Sequence, residues 1–198
     1  MTKRLVIFIS GSGTNFQAIL DAIAYRQLDS EVVLVVSNRK AAYGLIRAEA
    51  AGIPTLYAPL KPYLEDGRGR EAYDRDLAGK IKSYQPDLII LAGWMHILSV
   101  TFLNQFPKAV INLHPALPGT FAGTEAIQRT FEAYQRGEVT HGGCMVHYVV
   151  PEVDAGPVIA EVIVPIETND TLEIFETRLH NAEHRLIVEA THKALAGK

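Results

Sequence analysis

Four short runs with almost no polar interruption, Leu5–Ile9, Val32–Val36, Leu88–Ala92 and Val110–Leu113, most constrain what this chain can fold into. Runs of four or five β-favouring residues without apolar–polar alternation read as strands buried on both faces, which need helices on either side. Segments of helical character stand between them. Phe16, Ile19, Leu20 and Ile23 recur at helical spacing. Ala41–Ala51 reads as a small-residue helix ending at Gly52, Pro54–Tyr57 as a short third strand, and Glu71–Tyr84 as a polar helix. Leu60–Gly69, with its glycines, proline and four charges, reads as an exposed loop. Thr101–Phe106 is expected to form a short helix. The alternation predicts an α/β fold: an open, mainly parallel, twisted sheet with right-handed crossovers.

Past Gly123 the pattern changes. A helix is expected to about Arg136, then two strands, Cys144–Val150 and Val158–Val164. The seven residues Pro151–Pro157 between them are too few for a crossover, so an antiparallel hairpin is expected. Asp170–Ala196 reads as one long terminal helix, with Asp170 as N-cap and Glu173 completing a capping box. At 198 residues, with no internal repeat or linker, a single domain spanning 1–198 is expected.

The run Val110–Leu113 turns polar at Asn112 and His114 before Pro115 ends regular pairing. Residues two apart on a strand point the same way, so amide and imidazole share one small volume near the carboxyl edge of the sheet. That edge is where open α/β sheets bind ligands. Asp154 lies in the hairpin connection. If the fold brings it to this pair, its carboxylate orients the imidazole and raises its pKa. His147, inside the preceding strand, reads as a packed or hydrogen-bonded histidine.

Gly11-Ser-Gly13-Thr-Asn15 follows the first strand and opens a helix, where backbone N–H groups and the helix dipole favour an anion. It is half a dinucleotide fingerprint: Phe16 replaces the third glycine, and the second strand ends in Ser37-Asn38-Arg39 instead of an acid. It also lacks the Gly-Lys-Ser/Thr of a P-loop. A phosphate monoester at Gly13, Thr14 and Asn15 fits better, with Gly13 letting the anion approach the backbone, and a plain tight turn is the competing account. His180, Glu183 and His184 match an H-x-x-E-H zinc pattern, but a further ligand is wanting and an ordinary helix face is the expectation.

Composition narrows the function class. The net charge of −3 and 21% charged residues give no basic face for nucleic acid and no patch for a membrane surface. The single cysteine, Cys144, forms neither an intramolecular disulfide nor a cysteine-cluster metal site. The N-terminal apolar run stops after five residues, too short for a signal peptide, and no stretch reaches the length of a membrane span. The expected compartment is the cytoplasm, and the expected partners are small molecules. Monomer and homodimer are both compatible with the sequence.

Five motifs then resemble, in order and spacing, those of the phosphoribosylglycinamide formyltransferases, a branch of the folate-dependent formyltransferase superfamily. They are Ser10-Gly-Ser-Gly-Thr-Asn15, Leu91-Ala-Gly-Trp-Met-His-Ile-Leu98, Asn112-Leu-His-Pro115, Val153-Asp-Ala-Gly-Pro157 and Ala182-Glu-His184. The resemblance runs from the first strand to the last helix and implies a Rossmann-like formyltransferase fold. It implies a triad of Asn112, His114 and Asp154, a substrate phosphate at Gly13, Thr14 and Asn15, and a ribose contact at Glu183. Arg70, Met95, His96, Ile97 and Leu98, with Asn112, resemble the positions lining a folate site. The N-terminal half is thereby expected to hold the phosphorylated substrate, and the C-terminal half the folate and the chemistry. His96 stands where arginine is common, and Ala116-Leu-Pro-Gly119 replaces the more usual Ser-Leu-Leu-Pro. Both departures touch the folate contact and loop shape and leave the triad intact.

The implied reaction moves a formyl group from 10-formyltetrahydrofolate, as co-substrate and without a metal, to the amine of 5'-phosphoribosylglycinamide in purine synthesis. Asn112 and a protonated His114 would stabilise the oxyanion, each such donor contributing ~3 kcal/mol, with Asp154 favouring the imidazolium. Relatives with another acceptor, such as a sugar or tRNA, usually carry an extra domain. A formyltetrahydrofolate hydrolase resembles His-His where this chain has His114-Pro115. A non-catalytic mononucleotide-binding module would account for the glycine loop alone.

Overall fold

The computed structural model describes residues 2–197. Seven strands form one sheet in the order β3-β2-β1-β4-β5-β6-β7. The strands are β1 (Lys3–Ile9), β2 (Ser30–Ser37), β3 (Thr55–Tyr57), β4 (Leu88–Leu91), β5 (Val110–His114), β6 (His141–Tyr148) and β7 (Val158–Pro165). The first five are parallel; β5–β6 and β6–β7 are antiparallel. The chain steps outward from β1 to β3 and then returns to the other side of β1. The crevice outside the carboxyl ends of β1 and β4 is therefore the topological switch point, where an open α/β sheet takes its ligand.

Seven helices were resolved around it among the described residues: α1 (Thr14–Ala24), α2 (Tyr43–Ala50), α3 (Lys61–Glu65), α4 (Gly69–Lys82), α5 (Val100–Leu103), α6 (Ala126–Gln135) and α7 (Leu172–Ala196). Strand β1 shows why both faces need cover, since Leu5 to Ile9 are all fully buried. Leu5, Ile7 and Ile9 join Phe16 and Ile19 of α1 and Phe175, Leu179 and Leu186 of α7 in one core. Val6 and Phe8 join Tyr73, Leu77 and Ile81 of α4 with Trp94 and Phe102 in the other. Strand alternation thus splits one continuous apolar run between two layers, each buried side chain contributing about 1.5–3 kcal/mol.

Three expectations need correction. Residues 60–69 are not all loop: Pro62, preset for a helical first turn, starts the five-residue α3, which stays on the surface with no buried residue. Strand β6 begins at His141, not Cys144. Its two glycines look like breakers but are demanded by packing, because a Cβ at Gly142 would lie 2.5 Å from Phe175 and one at Gly143 2.4 Å from the Val162 carbonyl. The cap of α7 is Thr171, whose hydroxyl accepts from the Ile174 N–H at 3.3 Å, so Glu173 does not close a capping box. Asp170 instead accepts a two-pronged bond from Arg178 at 2.6 and 2.9 Å and one from the Glu167 N–H at 2.7 Å.

Candidate active site

A cleft of about 600 Å3 opens over the carboxyl ends of β1, β4 and β5. Asn112 and His114, two apart on β5, point into it. The antiparallel β6 sets His147 opposite Asn112. The β6–β7 connection folds back over this face, and Asp154 reaches the pair from it. One carboxylate oxygen accepts from Asn112 Nδ2 at 3.2 Å, and the other lies 3.3 Å from His114 Nδ1. Asp154 has φ +52°, and Gly156 beside it admits no Cβ, since one would lie 1.7 Å from the Tyr148 carbonyl. The hairpin connection is therefore tightly specified, although its sequence reads as a solvated loop.

His114 is 5% exposed and has an oxygen at each ring nitrogen, Asp154 at Nδ1 and the Phe121 carbonyl at Nε2, 3.0 Å away. Burial nevertheless dominates and holds its pKa below the ordinary imidazole value; Asp154 and the Phe121 carbonyl oppose that shift, while His147 and Arg129 add to it. The expected rise is overturned: the carboxylate pulls in the expected direction but does not outweigh desolvation of the ring. For Asp154, burial alone would raise the pKa, and the neighbouring His147 and His114 rings together with the bond from the Gly123 N–H prevail and hold it low.

Asn112 commits both hydrogens of its amide, one to Asp154 and the other to His147 Nε2 at 3.2 Å. His147 is 2% exposed and donates from Nδ1 to the Tyr148 carbonyl at 2.9 Å, which leaves Nε2 free to accept. It is a hydrogen-bonded, packed histidine, and it also braces Asn112. Its place opposite Asn112 depends on strand register, which no local motif specifies.

At the other end of the cleft, Gly13 takes a left-handed conformation (φ +72°) and α1 starts at Thr14. The first N–H groups of α1 have no acceptors within the helix, and Gly13, Thr14 and Asn15 line the cleft. Gly13 has an intramolecular reason to be glycine: a Cβ there would stand 2.7 Å from the Cα of Gly44, where α2 crosses the loop. That contact is independent of any anion.

Glu183, 4% exposed on α7, accepts from Asn15 Nδ2 at 3.1 Å and lies 2.9 Å from His180 Nδ1. The bond to Glu183 raises the pKa of His180, with Glu176 also favouring the charged ring. The H-x-x-E-H pattern thus becomes a histidine–carboxylate pair at the glycine-loop end of the cleft. No group of three or more metal-ligating side chains occurs among the described residues.

Met95, His96, Ile97 and Leu98 line the wall beyond β4. Met95 and Ile97 are 61% and 58% exposed, whereas Leu98 is buried as their anchor. The Met95 N–H donates to the buried Ser10 hydroxyl at 3.0 Å, tying this wall to the glycine loop. Burial lowers the pKa of His96, and Asn38 Nδ2 donates to its Nε2 at 2.9 Å. Arg70 is the one expected site residue outside the lining. Its Nη1 donates to the Ile97 carbonyl at 2.5 Å and braces the wall from behind. Arg39 does line the cleft and was missed. Its signal was its position just past β2, beside the switch point.

Comparison with known proteins agrees with this geometry. The formyl transferase family pattern matches residues 3–191. A phosphoribosylglycinamide formyltransferase of Schizosaccharomyces pombe is 48% identical, with 98% of each chain covered. One from Saccharomyces cerevisiae is 45% identical, with 97% of each covered. Among solved structures, glycinamide ribonucleotide transformylase 1 of Symbiobacterium toebii superposes with a TM-score of 0.90 at 38% identity, over 99% of this chain and 89% of its own. The phosphoribosylglycinamide formyltransferase of Bacillus halodurans gives 0.90 at 36%, over 98% and 95%. With a sheet, a cleft and a near full-length match in agreement, the chain belongs to the formyl transferase family.

Proposed function

We propose that this chain, as a single domain, transfers the formyl group of 10-formyltetrahydrofolate to the amine of 5'-phosphoribosylglycinamide, a step of purine biosynthesis. The observation that carries the reading is Asp154 holding Asn112 and His114 within 3.3 Å on the cleft wall, between two differently built ends. One end offers a helix N-terminus and the Glu183–His180 pair to a phosphoribosyl group. The other offers Met95, Ile97 and the backbone around them to a flat, largely apolar ring, with His96 beside them and Arg70 bracing the wall through the Ile97 carbonyl.

The donor supplies an activated formyl carbon, and each residue has a separable task. Asn112 gives up one of its two internal bonds and donates that hydrogen to the oxygen turning negative as the amine attacks. His114, neutral at physiological pH because burial lowers its pKa, takes a proton from the attacking amine and delivers it to the folate nitrogen as the carbon–nitrogen bond breaks. Asp154 orients the ring and stabilises it while it carries that proton. Thr14, Asn15 and Glu183 hold the acceptor so that its amine stands against the formyl carbon.

The test is an acceptor comparison. Purified protein with 10-formyltetrahydrofolate is given phosphoribosylglycinamide, its dephosphorylated form, or no acceptor, and both folate release and formylated product are measured. The proposal predicts efficient formylation of the phosphorylated amine alone. Release of formate without an acceptor-bound product would identify a hydrolase and contradict it. Residence in the cytoplasm belongs to the same proposal; no described helix is long and apolar enough to cross a membrane.

A further inference from the structure

We infer that Arg129 is a positioning residue for His114, acting through the turn Phe121–Gly123. Three consecutive residues of that turn each make one bond to a side chain. The Phe121 carbonyl meets His114 Nε2 at 3.0 Å, the Ala122 carbonyl accepts from Arg129 Nη2 at 2.5 Å, and the Gly123 N–H donates to Asp154 Oδ2 at 2.9 Å. The outer two bonds close on the two members of the proposed proton-handling pair. The middle one is the only tie of the three that leads away from the site.

The turn has little else to fix it. Residues 115–125 contain no helix or strand, and Gly119, Gly123 and Glu125 all have positive φ. The remaining hydrogen bonds here are local ones, from the Ala122 N–H to Thr120 and from Thr120 to Leu117. Arg129 sits in the first turns of α6, and a helical side chain leans toward the helix N-terminus, so its guanidinium is carried back over Ala122. The cation also lies 5.9 Å from the Phe121 ring centroid. A planar fork fixes the angle of the carbonyl that it binds, and a lysine ammonium on a flexible stem does not. The charged groups acting on His114 are Asp154 from the β6–β7 connection, His147 from β6 and Arg129 from α6. Arg129 therefore acts twice, by holding the turn that keeps water from the ring and by its charge; both disfavour a proton on His114, and the exclusion of water outweighs the opposing bond to the Phe121 carbonyl.

This inference rests on the proposed role of His114, and two of its three readouts need no activity. In Arg129→Gln, exchange of the Gly123 amide should accelerate about tenfold or more while amides of β5 and α6 stay protected. The NMR titration midpoint of His114 should rise toward the ordinary imidazole value, because water reaches the ring and a cation is gone. Turnover in formyl transfer should fall with KM values little changed, and Arg129→Lys should lie between wild type and Gln on all three. A Gln variant that is merely less heat-stable, with exchange at Gly123 and the His114 midpoint unchanged, would overturn the inference. So would a loosened turn and a moved midpoint in an enzyme of undiminished turnover. A wild-type protein that transfers no formyl group would refute the functional reading instead, and exchange and titration would still test the pin.

Discussion

At the scale of single residues, His114 is set between opposing demands. Oxygens at both ring nitrogens favour an imidazolium, and near-complete burial disfavours it more strongly. NMR titration of His114 should therefore give a midpoint below the ordinary ~6.5 of imidazole. Asp154→Asn should lower it further, since the group removed is the one opposing the shift; a rise would show that the two side chains do not interact in solution. Asn112 and His114 were legible in the sequence because strand alternation alone puts residues two apart on one face. The sign of the pKa shift was not, since it depends on how much of the chain covers the ring. The reach of Asp154 into the pair was accessible only through resemblance, because a loop that folds back over a sheet leaves no local period. His147 and Arg129 meet the site through register and a helix turn, which no motif encodes.

At the scale of elements, close approach explains residues that look like plain turn formers. Gly13→Ala places a Cβ 2.7 Å from Gly44 in a left-handed conformation, so strain and overlap together should cost roughly 2–4 kcal/mol. Denaturant unfolding measures this, and a loss under ~0.5 kcal/mol would show that α2 can move away. Thr171→Ala should destabilise by about 1 kcal/mol through loss of the α7 cap, whereas an unchanged midpoint would place the cap elsewhere. The strands and long helices could be read from apolar runs and helical spacing. The β6 start and the α7 cap could not, because Gly142 and Gly143 answer to Phe175 and Leu117 from distant segments, and Arg178 draws Asp170 away from the helix start.

At the scale of the whole molecule, the buried and half-buried histidines set a direction for pH dependence. His96, His114 and His184 all have pKa values lowered chiefly by burial. A depressed folded-state pKa gives stability that is full above the unfolded value of about 6.5 and is lost as pH falls through the folded values. His180, raised by Glu183, works the other way: its contribution is present below about 6.5 and lost as pH rises through its folded value. His114 is the most deeply buried of these rings, so the melting temperature should drop on acidification from about pH 7.5 to about pH 5.5, well before carboxylates titrate. Calorimetry across that interval checks it, and a flat or rising profile would contradict the burial of these rings. The central claim is that the sheet, the folded-back hairpin and the cleft together serve one proton-handling carboxylate–imidazole pair. The measurement that tests it most directly is the turnover number of Asp154→Asn in formyl transfer to phosphoribosylglycinamide, beside that of the wild type. A fall of about 10²–10⁴-fold with both KM values little changed and the fold intact is predicted. Turnover close to wild type in that variant would contradict it.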